Sequence, residues 1–404
     1  SEYRENLIPA GKYNLLRSAA IYGANASGKS NLLKALVAMR ENIMNSVRLS
    51  STSEIDLSPF ILSSITENKP SYFEIIIQIA ETKYRYGFEA DRHNIHAEWL
   101  FEAKLEKEKV LFIRENNTIS RGKTFSEGNG LEQKTKQNTL FLSVCDQFNG
   151  EISSKMIKWF SSWSSAVDDF YFLYSDKTHQ LFQELSNKES ILRLIKQFDL
   201  GIDDIRIKQE EVNQPSVFSV FVSPSEIKRQ VDRVYAIHTK YDNSEIPIGS
   251  VELRMEEAES SGTNKLFNLS GFIFNCLNQG SLLVADELDA KLHPLMTRAI
   301  VRLFNDPQSN PNNAQLIFAT HDTNLLSYGN FRRDQIYFTE KDQYGASDLY
   351  SLAEFKEEGN GKVRKDRSFQ KDYIQGRYGA VPFIGDLGQI TTGSWQKNEA
   401  EATL

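Results

Sequence analysis

Gly23, Gly28, Lys29 and Ser30 stand in the spacing G-x-x-x-x-G-K-S within "IYGANASGKSNLLKAL", a spacing suited to holding a chain of phosphates. Glycines let a backbone wrap tightly and aim its N–H groups at an anion. Ala24, Asn25, Ala26 and Ser27 complete the turn, and Asn31 follows it. In such a cradle Lys29 reaches the outer phosphates and Ser30 offers a hydroxyl to Mg²⁺. Far downstream, "SLLVADELDAKLHP" carries an apolar run into Asp286 and Glu287. Asp286 is placed to support Mg²⁺ through water, and Glu287 to polarise an attacking water. A third run, "AQLIFATHDTNLL", ends on His321, whose imidazole can sense a γ-phosphate by hydrogen bonding.

These residues need strands and a helix to bring them together. "RSAAIY" reads as a buried strand entering the cradle, and "NLLKALVAM" has helical spacing, so a helix is expected from Lys29 to about Met39. Its positive N-terminal end would point at the same anion. Leu282 to Asp286 and "QLIFAT" read as short buried parallel strands. In open α/β sheets ligands bind at the carboxyl ends of strands, so one sheet can gather all three motifs. "SYFEIIIQIAETKYRYGFEAD" alternates with a period near two and predicts an antiparallel hairpin, which "HAEWLFEAKLEKEKVLFIREN" continues. "ISRGKTFSEGNGLEQKTKQ" reads as a polar loop. Residues 151–245 are mixed, with two stretches of helical spacing, and are expected to form an inserted helical lobe. "DQIYFTE" is strand-like. "KVRKDR", Lys362 to Arg367, reads as a solvated loop, and "TTGSWQKNEAEATL" as a tail. Asp334, Asp342 and Asp348 are scattered and read as surface.

The bulk properties narrow the class. The 404 residues are enough for two or three domains. A composition 40% hydrophobic and 25% charged is that of an ordinary globular chain. The net charge of -7 argues against a uniformly basic nucleic-acid binder. Cys145 and Cys276 match no metal spacing, so small core residues and a reducing, cytoplasmic setting are expected. No apolar run reaches the ~18 residues of a membrane span, and no signal peptide opens the chain. The opening residues contain no methionine and leave little room for strands before the cradle. Missing N-terminal residues, and missing internal loops, are therefore expected.

Three strand ends carrying GxxxxGKS, DE and TH in this order resemble the ABC-type ATPases, and within them the SMC-like, non-transporter branch. "ESSGTNKLFNLSGFI", "RRDQIYFTEKD", "ASDLYSLAEF" and "YIQGRYGAVPFI" narrow the resemblance to the RloA/AbiL-like ATP-binding proteins of bacterial anti-phage defence and abortive infection. The ATPase subunits of PARIS, Septu and OLD-type systems are their kin. The resemblance covers Arg17 to Ile384 and is weakest between Ser51 and Val251. It implies an ABC-type head, with a P-loop core, an antiparallel β-subdomain and an inserted helical lobe. The implied boundaries are 1–150 and 251–390 for the two parts of the core, 151–250 for the insertion and 391–404 for the tail. It also implies ATP with Mg²⁺ and hydrolysis.

Further residues gain roles only through this resemblance. Ser261 and Gly262, with Ser260 adjacent, match the serine and glycine that contact the γ-phosphate held by a second subunit. An ordinary Ser N-cap explains the same residues, and Thr263 departs from the LSGGQ pattern. Asp289, with Ala290, would lie in the loop that crosses the dimer. Gln147, after the apolar run Leu140 to Val144, is the candidate for a glutamine expected at a strand end, with Gln137 as the other. Arg377 and Tyr378 suit contact with phosphate or a partner, or simple packing. The implied partners are a second copy sharing two ATP sites, a separately encoded effector such as a TOPRIM-type nuclease, and a phage-encoded trigger. A DNA-repair or chromosome-handling ATPase that binds DNA directly shares every nucleotide motif. Long coiled-coil arms and a basic DNA path would mark it, and neither is legible.

Overall fold

The computed structural model describes residues 3–104, 107–167, 171–198, 200–215, 226–327, 329–356 and 368–382. Two short strands, β1 (Leu7–Ala10) and β2 (Tyr13–Leu16), form a hairpin ahead of the cradle, where the sequence left little room for strands. β3 (Ser18–Tyr22) then runs into the cradle, and α1 (Lys29–Asn45) leaves it. α1 outruns the expected end at Met39 because Met39 and Ile43 continue its buried face.

Five strands follow as an antiparallel meander: β4 (Ser71–Ile79), β5 (Thr82–Ala90), β6 (Ile95–Ala103), β7 (Lys109–Glu115) and β8 (Thr118–Arg121). Two carboxylates on this side of the molecule, one buried and one half-buried, start the next two helices. Glu98, in β6, accepts hydrogen bonds from the amides of Phe141 (2.6 Å) and Leu142 (3.0 Å) at the head of α2 (Phe141–Gln147). Glu127 accepts from the amides of Ile152 and Ser153 at the head of α3 (Glu151–Ser162). A remote side chain thus satisfies the open N–H groups that a local cap usually takes. Arg114, 1% exposed, lies beside Glu98 and donates to the carbonyls of Asn116, Lys136, Gln137 and Thr139.

β9 (Ser164–Ala166) returns to the central sheet, so residues 151–166 pack with the core and not with the insertion. The insertion holds α4 (Tyr171–Gln183) and α5 (Leu185–Lys196), then β10 (Asp204–Pro215), β11 (Glu226–Tyr241) and β12 (Pro247–Arg254) in one antiparallel sheet. It is therefore α+β where a helical lobe was expected. β11 explains the difference. Ile227, Val231 and Val234 fall at i, i+4 and i+7 and mimic a helical stripe, yet every residue of β11 through Ile237 pairs with β10.

A short α6 (Met255–Ala258) leads into α7 (Ser261–Gln279), which is capped by Ser260 and closed by Gly280 at φ 66°. Then come β13 (Leu282–Ala285), α8 (Pro294–Asn305), β14 (Gln315–Ala319), β15 (Ile336–Lys341), β16 (Ser347–Ser351) and α9 (Phe369–Ile374). The central sheet has the order β16-β15-β3-β14-β13-β9, parallel throughout except for β16. Its side chains alternate between two cores, as the pleat requires. Ile21 and Val284 face α1, α2 and the meander, while Ala20, Tyr22, Leu283 and Ala285 face α7, α8 and α9. This is a P-loop ATPase fold: a mostly parallel sheet with helices on both faces and an antiparallel sheet alongside. Cys145 and Cys276 are free thiols buried in the two cores. Lys362–Arg367 and residues 391–404 lie outside the described residues. No helix among the described residues is long and apolar enough to cross a membrane.

Candidate functional site

The cradle turns between Tyr22 and Lys29, at the carboxyl end of β3. Gly28 starts the helix at φ 110°, and a Cβ there would collide with Ser347 Oγ. A Cβ on Gly23 would collide with Ser27 Oγ, and one is also barred by Thr339 Oγ1 at 2.5 Å. Ala26 holds φ 62°, a left-handed conformation uncommon without a glycine. Lys29 is 5% exposed and donates to the carbonyls of Gly23 and Ala24, both at 2.9 Å. Burial lowers its pKa, while Asp286, Glu287 and Asp289 work against that shift.

β14 and β13 follow on one side of β3, and their ends carry the other motifs. Asp286 leaves β13 with its amide bonded to Ala166 O (2.8 Å), and its carboxylate accepts from the Glu287 amide (3.0 Å). Glu287 sits at φ 44° with an exposed side chain. The Leu288 amide donates to Ala319 O at the end of β14 (3.2 Å). His321, two residues past β14, donates its amide to both oxygens of Asp289 at 3.3 Å. Burial and then the Lys29 charge hold the His321 pKa below the usual histidine range. A neutral imidazole, able to donate from one nitrogen and accept at the other, follows at neutral pH. Lys29, His321 and Lys265 all feel the same three carboxylates, Asp286, Glu287 and Asp289. One cluster thus joins motifs separated by nearly three hundred residues.

The structure adds residues that carry no motif. Lys265, 6% exposed, donates from Nζ to Glu287 O (2.6 Å) and Ala290 O (2.9 Å). Burial pushes its pKa down to about 8. Its signal in the sequence is a lysine on an apolar stripe: residues 265, 269, 272 and 276 share one buried helix face. Thr339, at the end of β15, shares a 2.7 Å hydrogen bond with Ser27 Oγ and donates to Tyr22 O (3.3 Å). Behind the cradle, Tyr22 packs edge-on to Tyr373 at 5.7 Å, and Phe338 stacks on Tyr373 at 5.3 Å. Tyr378 is fully buried, donates to Asp372 (3.1 Å) and accepts through its carbonyl from Tyr350. Tyr378 is packed in the core, whereas the Arg377 side chain is half exposed and pairs with Asp372 at 3.4 Å.

Ser260 Oγ accepts from the Thr263 amide at 3.1 Å and is the N-cap of α7. Ser261 is exposed at the first turn, on a cavity of about 470 Å³ shared with Asn264, Lys265 and Lys291. A Cβ on Gly262 would meet Lys291 O at 2.5 Å, so this helix start lies against the Asp289–Lys291 loop. Gln147 departs from expectation. The run Leu140 to Val144 is not a strand, and Gln147 is the exposed last residue of α2. Gln137 is exposed too, and its carbonyl accepts from Ile95 and Arg114. Asp342 and Asp348 are exposed as expected, and Asp334 is half-buried against Arg332.

Among the described residues no group of three or more His, Cys, Asp or Glu is arranged to hold a metal. Ser30 and Asp286 suit Mg²⁺, which takes one or two protein oxygens and completes its shell with substrate phosphates and water. A family model described as "AAA domain, putative AbiEii toxin, Type IV TA system" matches residues 18–327. Among solved structures, the chain is similar to a crystal structure of the SmcHead bound to the C-winged helix domain of ScpA. Identity is 16% and the TM-score 0.31, with 84% of this chain and 91% of that chain covered. No curated protein matches the chain.

Proposed function

The chain belongs to the AAA-domain family described by the putative AbiEii toxin of a Type IV TA system, and on that premise we propose that it is an ATP-binding and ATP-hydrolysing subunit of a bacterial anti-phage defence system. In this reading it is a nucleotide-gated sensor or scaffold that controls a separately encoded effector nuclease. The observation that carries the ATPase half is the single carboxylate cluster shared by Lys29, His321 and Lys265 at the ends of adjacent parallel strands. The family's own description, with its toxin–antitoxin context, supports the defence half.

The division of labour follows from position. The amides of residues 23–28 and Lys29 would hold the phosphates. Ser30 and Asp286 would hold Mg²⁺, which neutralises phosphate charge when bound. Glu287 orients and polarises the attacking water, and His321 faces the γ-phosphate. Such catalysis is positioning and electrostatics. Ser261 and Gly262 stand at a helix N-terminus and suit the phosphate of a nucleotide held by a second copy. Two subunits would then enclose two ATP molecules, with hydrolysis loosening the pair.

The test is Glu287→Gln. ATP turnover should fall by roughly 100-fold or more, while ATP binding persists and the native mass in ATP shifts to that of a stable dimer. Parental turnover in this variant would sink the assignment of Glu287, and a monomer in saturating ATP would sink the shared site.

A further inference from the structure

The motifs locate the phosphate end of the ligand and leave its nucleoside end without a place. Topology supplies a direction. On one side of β3 the neighbouring strands β14 and β13 lead to His321, Asp286 and Glu287, so the γ-phosphate end lies that way. The nucleoside end then leaves the cradle toward the other side, where β15 and β16 lie. β15 runs parallel to β3, which sets the turn between β15 and β16 on the same sheet edge as the cradle.

That turn is rigid and continuous with the cradle. Asp342 Oδ1 accepts from the amides of Tyr344 (2.9 Å) and Ala346 (2.8 Å), and the Gly345 amide donates to Asp342 O at 3.1 Å. Ser347, the next residue but one after Gly345, packs so closely on Gly28 that no Cβ fits between them. Gly345 in turn touches the loop that follows α1, where its Cβ would lie 2.7 Å from Leu62 Cδ1. The result is a ledge running from Gly28 to Leu62. Its surface is unusually apolar for its exposure, with Tyr344 73% and Leu62 67% exposed, and Ile61, at 72%, beside them in sequence. Contiguous exposed apolar surface is one mark of a ligand or partner contact.

We propose that Tyr344 and Leu62 form the base-binding ledge of the site, receiving the purine of the nucleotide whose phosphates the cradle holds. This rests on the nucleotide-binding reading above and adds the subsite that selects a nucleotide over bare phosphate. An aromatic ring and a branched aliphatic side chain offer stacking and apolar contact to the faces of a flat heterocycle. The continuity of the ledge with Gly28 ties it to the chain's own nucleotide, in preference to the surface of a partner.

The experiment measures equilibrium binding of Mg·ATP and of Mg·tripolyphosphate, which has the phosphates and no base, to the full chain and to Tyr344→Ala, Tyr344→Phe and Leu62→Ser. Tyr344→Ala should weaken ATP by about tenfold, in the range expected for one lost base stack. Leu62→Ser should do so less, and Tyr344→Phe should match the parent. Tripolyphosphate should bind all four proteins alike. Unchanged ATP affinity in Tyr344→Ala would overturn the ledge, above all if the native mass changed instead, since the patch would then be a protein contact. Equal weakening of ATP and tripolyphosphate would also overturn it, by tracing the effect to a disturbed cradle. A parent chain that bound neither ligand would overturn the nucleotide reading itself, an outcome distinct from both.

Discussion

Arg114 and Glu98 in the antiparallel meander and Lys29 and Lys265 at the ligand edge are all charged and all buried, but they are satisfied to different degrees. Arg114 donates to four carbonyls, and Glu98 beside it accepts two amides and the Tyr86 hydroxyl. Lys29 and Lys265 each hold two carbonyls, although an ammonium has three protons to donate. The meander's charges are locked into a joint between sheet and helix. The edge's charges hold loops whose carbonyls can be exchanged for a ligand's oxygens. A buried network with four of five guanidinium N–H groups bonded costs much to break and leaves little for a ligand. A partly bonded one is where binding energy can act.

Variants on the two sides separate these roles. Lys29→Ala should have the largest effect of all: ATP affinity falls by roughly 100-fold or more, in line with loss of a charge-assisted phosphate contact. Its melting temperature should stay near the parental value, and a collapse in melting would erase the contrast with the meander. Glu98→Ala is the mirror image. It strands Arg114 in the core and should cost about 3–5 kcal/mol of unfolding free energy by denaturant titration, with ATP affinity in the surviving folded protein unchanged.

Lys265→Met sharpens the comparison by dividing binding from turnover. Lys265 bonds Glu287 and Ala290 through their carbonyls, so on the proposed function it is a positioning residue for the loop that carries Glu287. Turnover should fall by roughly 10- to 100-fold with ATP affinity held within about threefold. The same variant reports on pH. Folded Lys265 loses its proton near about 8, against 10.5 for an unburied lysine. Between those values the unfolded chain binds the extra proton, so parental stability should rise relative to the variant as pH climbs from 8 to 10.5. Below 8 the difference should be flat. Thr339→Val is the mildest, removing the hydroxyl's bonds to Ser27 Oγ and Tyr22 O. A loss near ~1 kcal/mol would show as about fivefold weaker ATP binding.

Local motifs made the ligand edge legible. Gly23 to Asn31, Asp286 with Glu287, and His321 announce themselves because each is a short run at the end of an apolar strand. Thr339 and Ser347 act through contacts made only when β15 and β16 reach the cradle, and no spacing marks them, while Lys265 shows only as a lysine on the apolar stripe of α7. Gln147 was misplaced for a different reason. Leu140 to Cys145 are all buried, so the run has neither a helical nor a strand period, and length alone could not separate the two. The β10–β12 sheet was hidden by charge on its outer face, where Arg206 and Lys208 pair with Glu252, and by the helix-like spacing of β11. Glu98 and Arg114 looked like alternate residues of a solvated hairpin. Only the structure shows that Glu98 caps α2 and that Arg114 holds the carbonyls of the loop before it.

The place of β3 in the sheet has a consequence for the timing of synthesis. Residues 18–22 sit between β14 and β15, pairing with residues 316–319 and 336–338. The aromatic ring of Tyr373 then closes behind them. The cradle's own sequence is therefore made some three hundred residues before the strands that flank it. At roughly 5–20 residues per second, on the order of 15–60 s pass before β14 and β15 exist. Through that interval the glycine-rich turn has no sheet to hold it. A chain cut between the cradle and β14 would carry the complete motif and lack its support. On the proposed function, ATP binding should require synthesis through Tyr373, and fragments that stop short of it should be silent.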